Sequence, residues 1–206
     1  MHVLLDYAAS VIAGSVALLL LLGTVARSSE ADRRVSAVGY AKEQALDLAT
    51  WLEDDLSTIG MGLPTGEVRL TMPTQAGSGT TLRTTRFEFT RRTYDTSGPT
   101  PVVATVDVRY DLAPTTTTTI DGATVQLYEV QRSERVNGGA WQDAGKTPAS
   151  LSRFHVEVQD MVGSPTGAEA NAAFVDVSFT MIPPLMQDEV ALPALFWNAA
   201  FRIHPV

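Results

Sequence analysis

The feature that most constrains this chain is its first stretch, MHVLLDYAASVIAGSVALLLLLGTVA. From Val3 to Ala26 nearly every residue is apolar or small, and Asp6 carries the only charge. About 24 such residues are enough for a helix to cross a bilayer core roughly 30 Å thick. A lone carboxylate in hydrocarbon is costly unless it is protonated or paired. The sequence therefore predicts a membrane-competent helix in which Asp6 is either protonated or paired with an opposite charge.

The helical pattern continues beyond the charged stretch RSSEADRR. Apolar residues then recur in steps of three and four, which places them on one helix face: Val35, Val38, Ala41, Ala45, Leu48, Leu52, Leu56 and Ile59. The run GMGLP from Gly60 predicts the end of the helix. We expect one helix over residues 3–59, roughly 85 Å long. The chain then divides into an apolar helix (1–27), its amphipathic continuation (28–60) and a β-rich head (61–206).

The head is rich in residues that alternate between apolar and polar, as in strands with one buried face. The alternation is strong in VVATVDVRYDL, FHVEV, AFVDVSFTM and LFWNAAFRI, and weaker in EVRLTM, LRTTRFEFTRR and ATVQLYEVQRS. In ATVQLYEVQRS the apolar positions slip between Leu127 and Tyr128, which predicts a β-bulge. The pattern predicts an α+β fold: a long N-terminal α-helix packed on a mostly antiparallel β-sheet. The helix stripe from Leu48 to Ile59 is expected to cover the sheet.

The connecting segments are predicted from their glycine, proline and polar residues. They include PTQAGSGTT, YDTSGPTP, VNGGAWQDAGKTP and IPPLMQDEVALPA. The threonine run in APTTTTTIDG is also expected to be a loop, since it cannot pack a core.

Composition and spacing argue against a catalytic or metal-binding role. The chain has no cysteine, which excludes disulfides, thiolate metal sites and cysteine nucleophiles. The histidines His2, His155 and His204 are far apart and show no ligand spacing. No nucleophile elbow, phosphate loop or catalytic triad pattern is found. We expect a protein that is not an enzyme and has no cofactor.

The charged stretches have competing interpretations. LRTTRFEFTRR could contact DNA through its arginines and aromatic rings. The favoured alternative is that its phenylalanines face the core and its arginines face solvent or a neighbouring acidic subunit. With a net charge of −8, the chain is not expected to bind nucleic acid. His155 and Glu157 are interpreted as a surface pair, and the consecutive acids at 53–55 as a solvated helix face.

Taken together, these segments resemble the type IV pilin superfamily. The resemblance is carried by the acid near the start of an apolar helix and by the helix end WLEDDLSTIGMGLP (Trp51–Pro64). The order of the later pieces VDVRYDL, TVQLYEVQR, LSRFHVEVQD, FVDVSFTM and AAFRI is also similar to PilW-like and GspJ-like minor pseudopilins. The chain departs from the family's usual start, since it begins MHVLLD and its acid is an aspartate one place later. The resemblance implies a pilin-like fold.

The resemblance also implies roles for four residues in filament assembly. The Asp6 carboxylate would pair with the terminal amino group at Met1 of a neighbouring subunit, because opposite charges offset each other's burial. The alternative is an acid at the lipid headgroups of an unassembled anchor. Gly14 and Gly23 would allow local unwinding of the helix or, alternatively, close packing against a neighbouring helix.

The expected function is that of a structural subunit of a type IV pilus-like extracellular filament. Alternatives are a low-copy minor pseudopilin of a type II secretion or pilus tip complex, and a membrane-tethered periplasmic binding or sensor module. The expected partners are copies of the chain or other pilins, and the inner membrane before assembly. Surface glycans are a further candidate, with O-glycosylation sites at Thr115, Thr116, Thr117, Thr118 and Thr119.

The expected location is the inner membrane, as a single-pass protein, followed by the extracellular filament. The basic residues Arg27, Arg33 and Arg34 follow the apolar segment and none precedes it, so the positive-inside rule alone would keep the head in the cytoplasm. A basic leader removed during maturation would resolve this conflict.

Overall fold

A computed structural model describes the backbone of residues 2–95, 102–120, 122–183 and 194–205. Side chains are described from Ile12 onward in these ranges, apart from those of Thr80 and Asp95. Within these ranges, one helix is followed by eight strands: α1 (His2–Leu56), β1 (Leu70–Ala76), β2 (Arg83–Asp95), β3 (Val102–Ile120), β4 (Ala123–Val136), β5 (Gln142–Lys146), β6 (Leu151–Gln159), β7 (Phe174–Met181) and β8 (Leu195–Arg202). Single-turn 3₁₀ helices lie at Gly79–Thr81 and Glu169–Asn171.

The long helix is confirmed, although it ends at Leu56, three residues before the predicted end at residue 59. Turns follow Leu56, and Gly60 and Gly62 adopt φ values of 75° and 70°. Residues with a Cβ rarely adopt this left-handed conformation. A Cβ on Gly60 would also lie 2.9 Å from the carbonyl oxygen of His204. Glycine at position 60 therefore lets the end of the helix approach the last residues of the chain.

All strand pairs are antiparallel, in the order β1-β2-β3-β4-β6-β7-β8, with β5 paired to the side of β4. The α+β class and the antiparallel sheet are thus confirmed. The predicted bulge is present between β3 and β4, where Pro114 is opposite Tyr128 and Thr117 is opposite Gln126. Its extra residue lies in β3, however, and not in β4, where the apolar slip had suggested it.

The core lies between the second part of α1 and one face of the sheet. Leu48, Leu52, Leu56 and Ile59 are fully buried, as the stripe predicts. The sheet contributes the inward residues of its strands, which include Phe87, Phe89, Val108, Tyr110, Val130, Phe154, Val156, Val177 and Phe179. The helix stripe therefore covers the apolar face of the sheet, and the polar residues of the alternating strands are left on the other face.

Two segments expected to be loops are strands instead, and the first four residues of a third, PTQAGSGTT, belong to β1. In VNGGAWQDAGKTP, residues Gln142–Lys146 form β5 on the side of β4. The ring of Trp51 lies against Gly145, where an added Cβ would be 2.9 Å from ring carbon Cη2. The glycine that suggested a loop thus makes room for a helix side chain. The threonine run is the second case and is described below.

Backbone contacts divide the chain into two compact units, Met1–Tyr40 and Ala41–Val206. The first unit is helical throughout its described residues. The second contains the end of α1 and the whole sheet. Residues 96–101 of the predicted YDTSGPTP loop and 184–193 of IPPLMQDEVALPA lie outside the described residues.

Candidate assembly segment and the head that carries it

The apolar part of α1 exposes its side chains all around the helix. Eight large apolar residues are 51–68% exposed: Ile12, Val16, Leu18, Leu19, Leu20, Leu21, Leu22 and Val25. The helix qualifies by length and hydropathy as one membrane span, and no residue of its most apolar window is buried. A core helix of a soluble domain would bury most of such a window. This surface is therefore available to lipid or to another apolar partner.

Polar groups within the apolar segment are satisfied by the helix itself. The hydroxyl of Ser15 donates to the carbonyl of Ile12, and that of Thr24 donates to the carbonyl of Leu21, both at 2.8 Å. Such internal bonds are what an apolar environment demands of a hydroxyl. The segment thus presents no polar group between Ile12 and Val25 that needs water.

The four residues assigned to assembly are placed as follows. Gly14 and Gly23 lie within unbroken helix, and a Cβ at either position would meet no atom of this chain within 4 Å. The backbone of Asp6 is helical, but its side chain lies outside the described residues, as does Met1. The proposed Asp6–Met1 pair and the two interpretations of the glycines stay predictions.

A buried ionic cluster ties the end of α1 to the sheet. Asp55 is only 5% exposed and accepts two hydrogen bonds from Arg132, from Nε at 2.6 Å and from Nη2 at 2.9 Å. The hydroxyl of Tyr110 donates to the same carboxylate at 2.5 Å. Arg91 lies 3.6 Å from Asp55, and both arginines reach Glu134. The expectation of a solvated acid at Asp55 is therefore wrong.

The protonation states of this cluster follow from its burial. Burial raises the pKa of Tyr110 well above its usual value, and the charge of Asp55 raises it further. Burial opposes the charge on Arg132, but the hydrogen bonds and charge of Asp55 outweigh it and raise the pKa of Arg132. A neutral tyrosine and a charged arginine therefore face one carboxylate, a geometry that fixes the position of the helix on β3 and β4.

The C-terminus of the described chain closes over the same helix end. The backbone N–H of His204 donates to the carbonyl of Ile59 at 3.0 Å, and its ring Nε2 lies 3.0 Å from the carbonyl oxygen of Ser57. The carbonyls at a helix C-terminus lack partners within the helix. The segment after β8 supplies some of those partners, so His204 is hydrogen-bonded to the end of the helix where the head begins.

The run Thr115–Thr119 belongs to β3 and pairs with β4, so the loop expectation is wrong. Thr117, Thr118 and Thr119 lie opposite Gln126, Val125 and Thr124. β-branched threonines suit an exposed strand, and the residues opposite them on β4 are polar or β-branched. All but Thr118 are exposed, so the hydroxyls are accessible for the predicted O-glycosylation, which stays a prediction.

The basic stretch of β2 has its phenylalanines in the core, as favoured, and three of its four arginines form ion pairs within the chain, while Arg83 lies over the ring of Tyr128. Arg86 pairs with Asp111 at 2.6 Å, and Arg92 with Glu67 at 3.2 Å. Arg91 belongs to the Asp55 cluster. Nucleic-acid binding needs arginines that are available to phosphates. The stretch therefore offers little free positive charge to a neighbouring subunit or to DNA.

His155 is half-buried on β6, and its Nδ1 has no hydrogen-bond partner among the described residues. Burial and the charge of Arg153 lower the pKa of His155, against the opposing effect of Glu157 and Asp176. Glu157 bonds instead to Gln159. The described contacts thus give no acid–base couple between His155 and Glu157.

An open cleft of about 460 Å³ lies in the head, lined by residues that include Arg69, Asp160, Met161, Arg202 and Ile203. Arg69 is committed to Glu169, which it reaches through Nε at 2.8 Å. Within the part of the chain that the structure describes, no group of three or more histidine, cysteine or acidic side chains could hold a metal ion.

Comparisons of this chain with protein-family models, with curated proteins and with solved structures gave no match. The long apolar N-terminal helix and antiparallel sheet are compatible with a pilin-like architecture at this coarse level.

Proposed function

We propose that this chain is a structural subunit of a type IV pilus-like extracellular filament, assembled through its apolar N-terminal helix. One observation carries the proposal: a single helix is exposed and apolar from Ile12 to Val25, and its other end is locked into a folded head by Asp55. The helix runs unbroken from His2 to Leu56, so no turn or proline-rich linker lies between the apolar segment and the head.

The assembled state that this proposal describes buries the helix against copies of itself. Before assembly, the inner membrane would hold the same surface. Asp6 would be tolerated in the filament core because a neighbouring terminal amino group meets it. Gly14 and Gly23, which have open space beside them in this chain, would then accept close approach of a neighbouring helix.

The test is the substitution Asp6→Ala, compared with Asp32→Ala in the same helix beyond the apolar segment. We expect Asp6→Ala to remain in the membrane fraction but to abolish filaments or make them irregular. Asp32→Ala should assemble normally. The measurement is electron microscopy of sheared cell-surface material, together with immunoblots of the membrane fraction. Normal filaments from the Asp6→Ala protein would refute the charge pair, and their absence from the parent strain would refute the filament.

Two alternatives use the same helix differently. A minor pseudopilin of a secretion or pilus tip complex would assemble through the same apolar surface but in a few copies per cell. A tethered binding module would use the helix only as an anchor, and the open cleft beside Arg202 is the observation in its favour. Counting copies per cell separates the first alternative from a repeating subunit. Persistent monomers in the membrane would favour the second.

A further inference from the structure

Within the described residues, the head has a two-stranded arm with no third strand paired to either side. It consists of Pro114–Ile120 of β3 and Ala123–Leu127 of β4. The ladder of β2 with β3 ends at Asp111, and the described pairs of β4 with β6 and β5 begin only at Tyr128. An isolated two-stranded ribbon has unpaired backbone groups along both edges. Among the described residues the arm is therefore a template for further strand pairing.

A second unpaired edge is that of β8, at the end of the sheet. Within the described residues, β8 pairs only with β7, through eight regular positions without a bulge. It contains no proline, and its only charge is Arg202. Phe196 is 68% exposed on its outer face. None of the usual devices that block an edge strand is present along its length, apart from the terminal arginine.

Other edges in the same head are blocked. β1 carries Pro73 and two register shifts, which interrupt a regular row of donors and acceptors. The part of β6 that diverges from β4 is met by side chains: Thr84 Oγ1 accepts from the N–H of Val156 at 2.8 Å, and Gln75 approaches the Val156 carbonyl. In the arm, Pro114 and the register shift between Pro114 and Thr117 lie at its base, so the outer part Thr117–Ile120 and β8 lack the interruptions that block these other edges.

The apolar inner face of the sheet is also left partly uncovered at its last strand, β8. The inward residues of β7 are buried, whereas those of β8 are only partly buried: Leu195, Trp197, Ala199 and Phe201. The ring of Trp197 stacks on Phe179 at 5.2 Å and on Phe201 at 6.4 Å. A strand added beside β8 would extend the cover over these rings, with β-branched residues the best suited to that position.

We propose that the arm of one copy of this chain pairs with the β8 edge of a second copy. The regular part of the arm's β3 side, Thr117–Ile120, is four residues long and fits within the eight regularly paired positions of β8. They are also matched in charge. The chain has a net charge of −8, but its described arm residues are uncharged and β8 adds only the positive Arg202. The two copies therefore meet there without the like-charge repulsion expected elsewhere.

The symmetry of this contact suits a filament. The arm and β8 are different surfaces of one chain, so their pairing is head-to-tail and can repeat without closing. The inference rests on the proposed function, because one short strand pair buries too little surface to hold two copies by itself. Helix packing in the core would supply the high local concentration that makes the weaker contact persist.

The absence of cysteine in the chain makes a direct test available. Two differently tagged full-length copies are co-expressed, one with Thr117→Cys or Thr118→Cys, the other with Asn198→Cys or Ala199→Cys. Neighbouring positions sample both faces of each strand. Sheared filaments are treated with a short bis-maleimide crosslinker. The expected dominant product is the mixed arm-to-β8 dimer, with little dimer between copies of the same variant.

Each other result overturns the inference in a distinguishable way. Intact filaments without the mixed product, with mainly β8-to-β8 dimers, or with β8 joined to another protein would refute the arm contact and leave the filament standing. If no filaments form from the parent chain, both proposals fail. Thr118→Lys provides a second measurement: it should reduce filament yield, whereas Thr74→Lys on the blocked β1 edge should not.

Discussion

Replacing Asp55 by alanine tests whether the buried cluster holds the helix on the sheet. The substitution removes two hydrogen bonds to Arg132 and one to Tyr110, all at 2.9 Å or less. Removing one partner of a buried ion pair costs about 3–5 kcal/mol, because the other charge remains buried. Arg132 keeps Glu134 at 2.5 Å, which places the expected loss near the lower end, about 3 kcal/mol.

The measurement is denaturant unfolding of the detergent-solubilised full chain, followed by tryptophan fluorescence. All three tryptophans, Trp51, Trp141 and Trp197, lie in the unit Ala41–Val206, so the signal reports on the head. Asp54→Asn on the adjacent exposed position is the matched control and should change stability by less than about 0.5 kcal/mol.

A double substitution sharpens the test. Asp55→Ala combined with Arg132→Leu removes both charges, so the pair should be less destabilised than the sum of the single variants. Should Asp55→Ala behave like the Asp54→Asn control, or should the two losses simply add, the cluster would not be the link between helix and sheet.

Two further predictions concern the head. Because burial and Arg153 lower the pKa of His155 in the fold, the unfolded state binds its proton more readily. Stability should therefore be lost as pH falls below about 6.5, and His155→Gln should flatten this loss in urea titrations across that range. Gly60→Ala should destabilise more than Gly66→Ala: both residues have positive φ, worth about 1–2 kcal/mol, but only the Cβ of Gly60 would meet the carbonyl of His204. Equal unfolding midpoints for the two alanine variants would contradict the close approach.

The strands were predictable wherever one face is buried and the other exposed. β3 and β7 alternate cleanly, so period-two patterning finds them. β5 and the threonine arm have no buried face, and their residues are ordinary loop residues as well. Pairing with β4 alone makes them strands, and that depends on which chain segment is nearby, which a local pattern does not contain.

Asp55 was misassigned although the sequence held a usable signal. It lies seven residues after Leu48 and three after Leu52, which places it on the apolar stripe and not on the solvated face. The neighbouring acids at 53 and 54 obscured this spacing. A charge on an otherwise apolar stripe predicts a buried partner, but Arg132 could be identified only once β4 was placed against the helix.

The exposed helix surface does not by itself explain why a filament would form. Burying the eight large apolar side chains from Ile12 to Val25 would contribute a favourable free energy on the order of 10 kcal/mol, at about 1–2 kcal/mol each. Lipid satisfies that demand as well as neighbouring helices do, because its tails are as apolar as leucine. The preference for a filament over the membrane must therefore come from what lipid cannot offer. In our proposal these contributions are a charged partner for Asp6, close helix packing at Gly14 and Gly23, and contacts between heads.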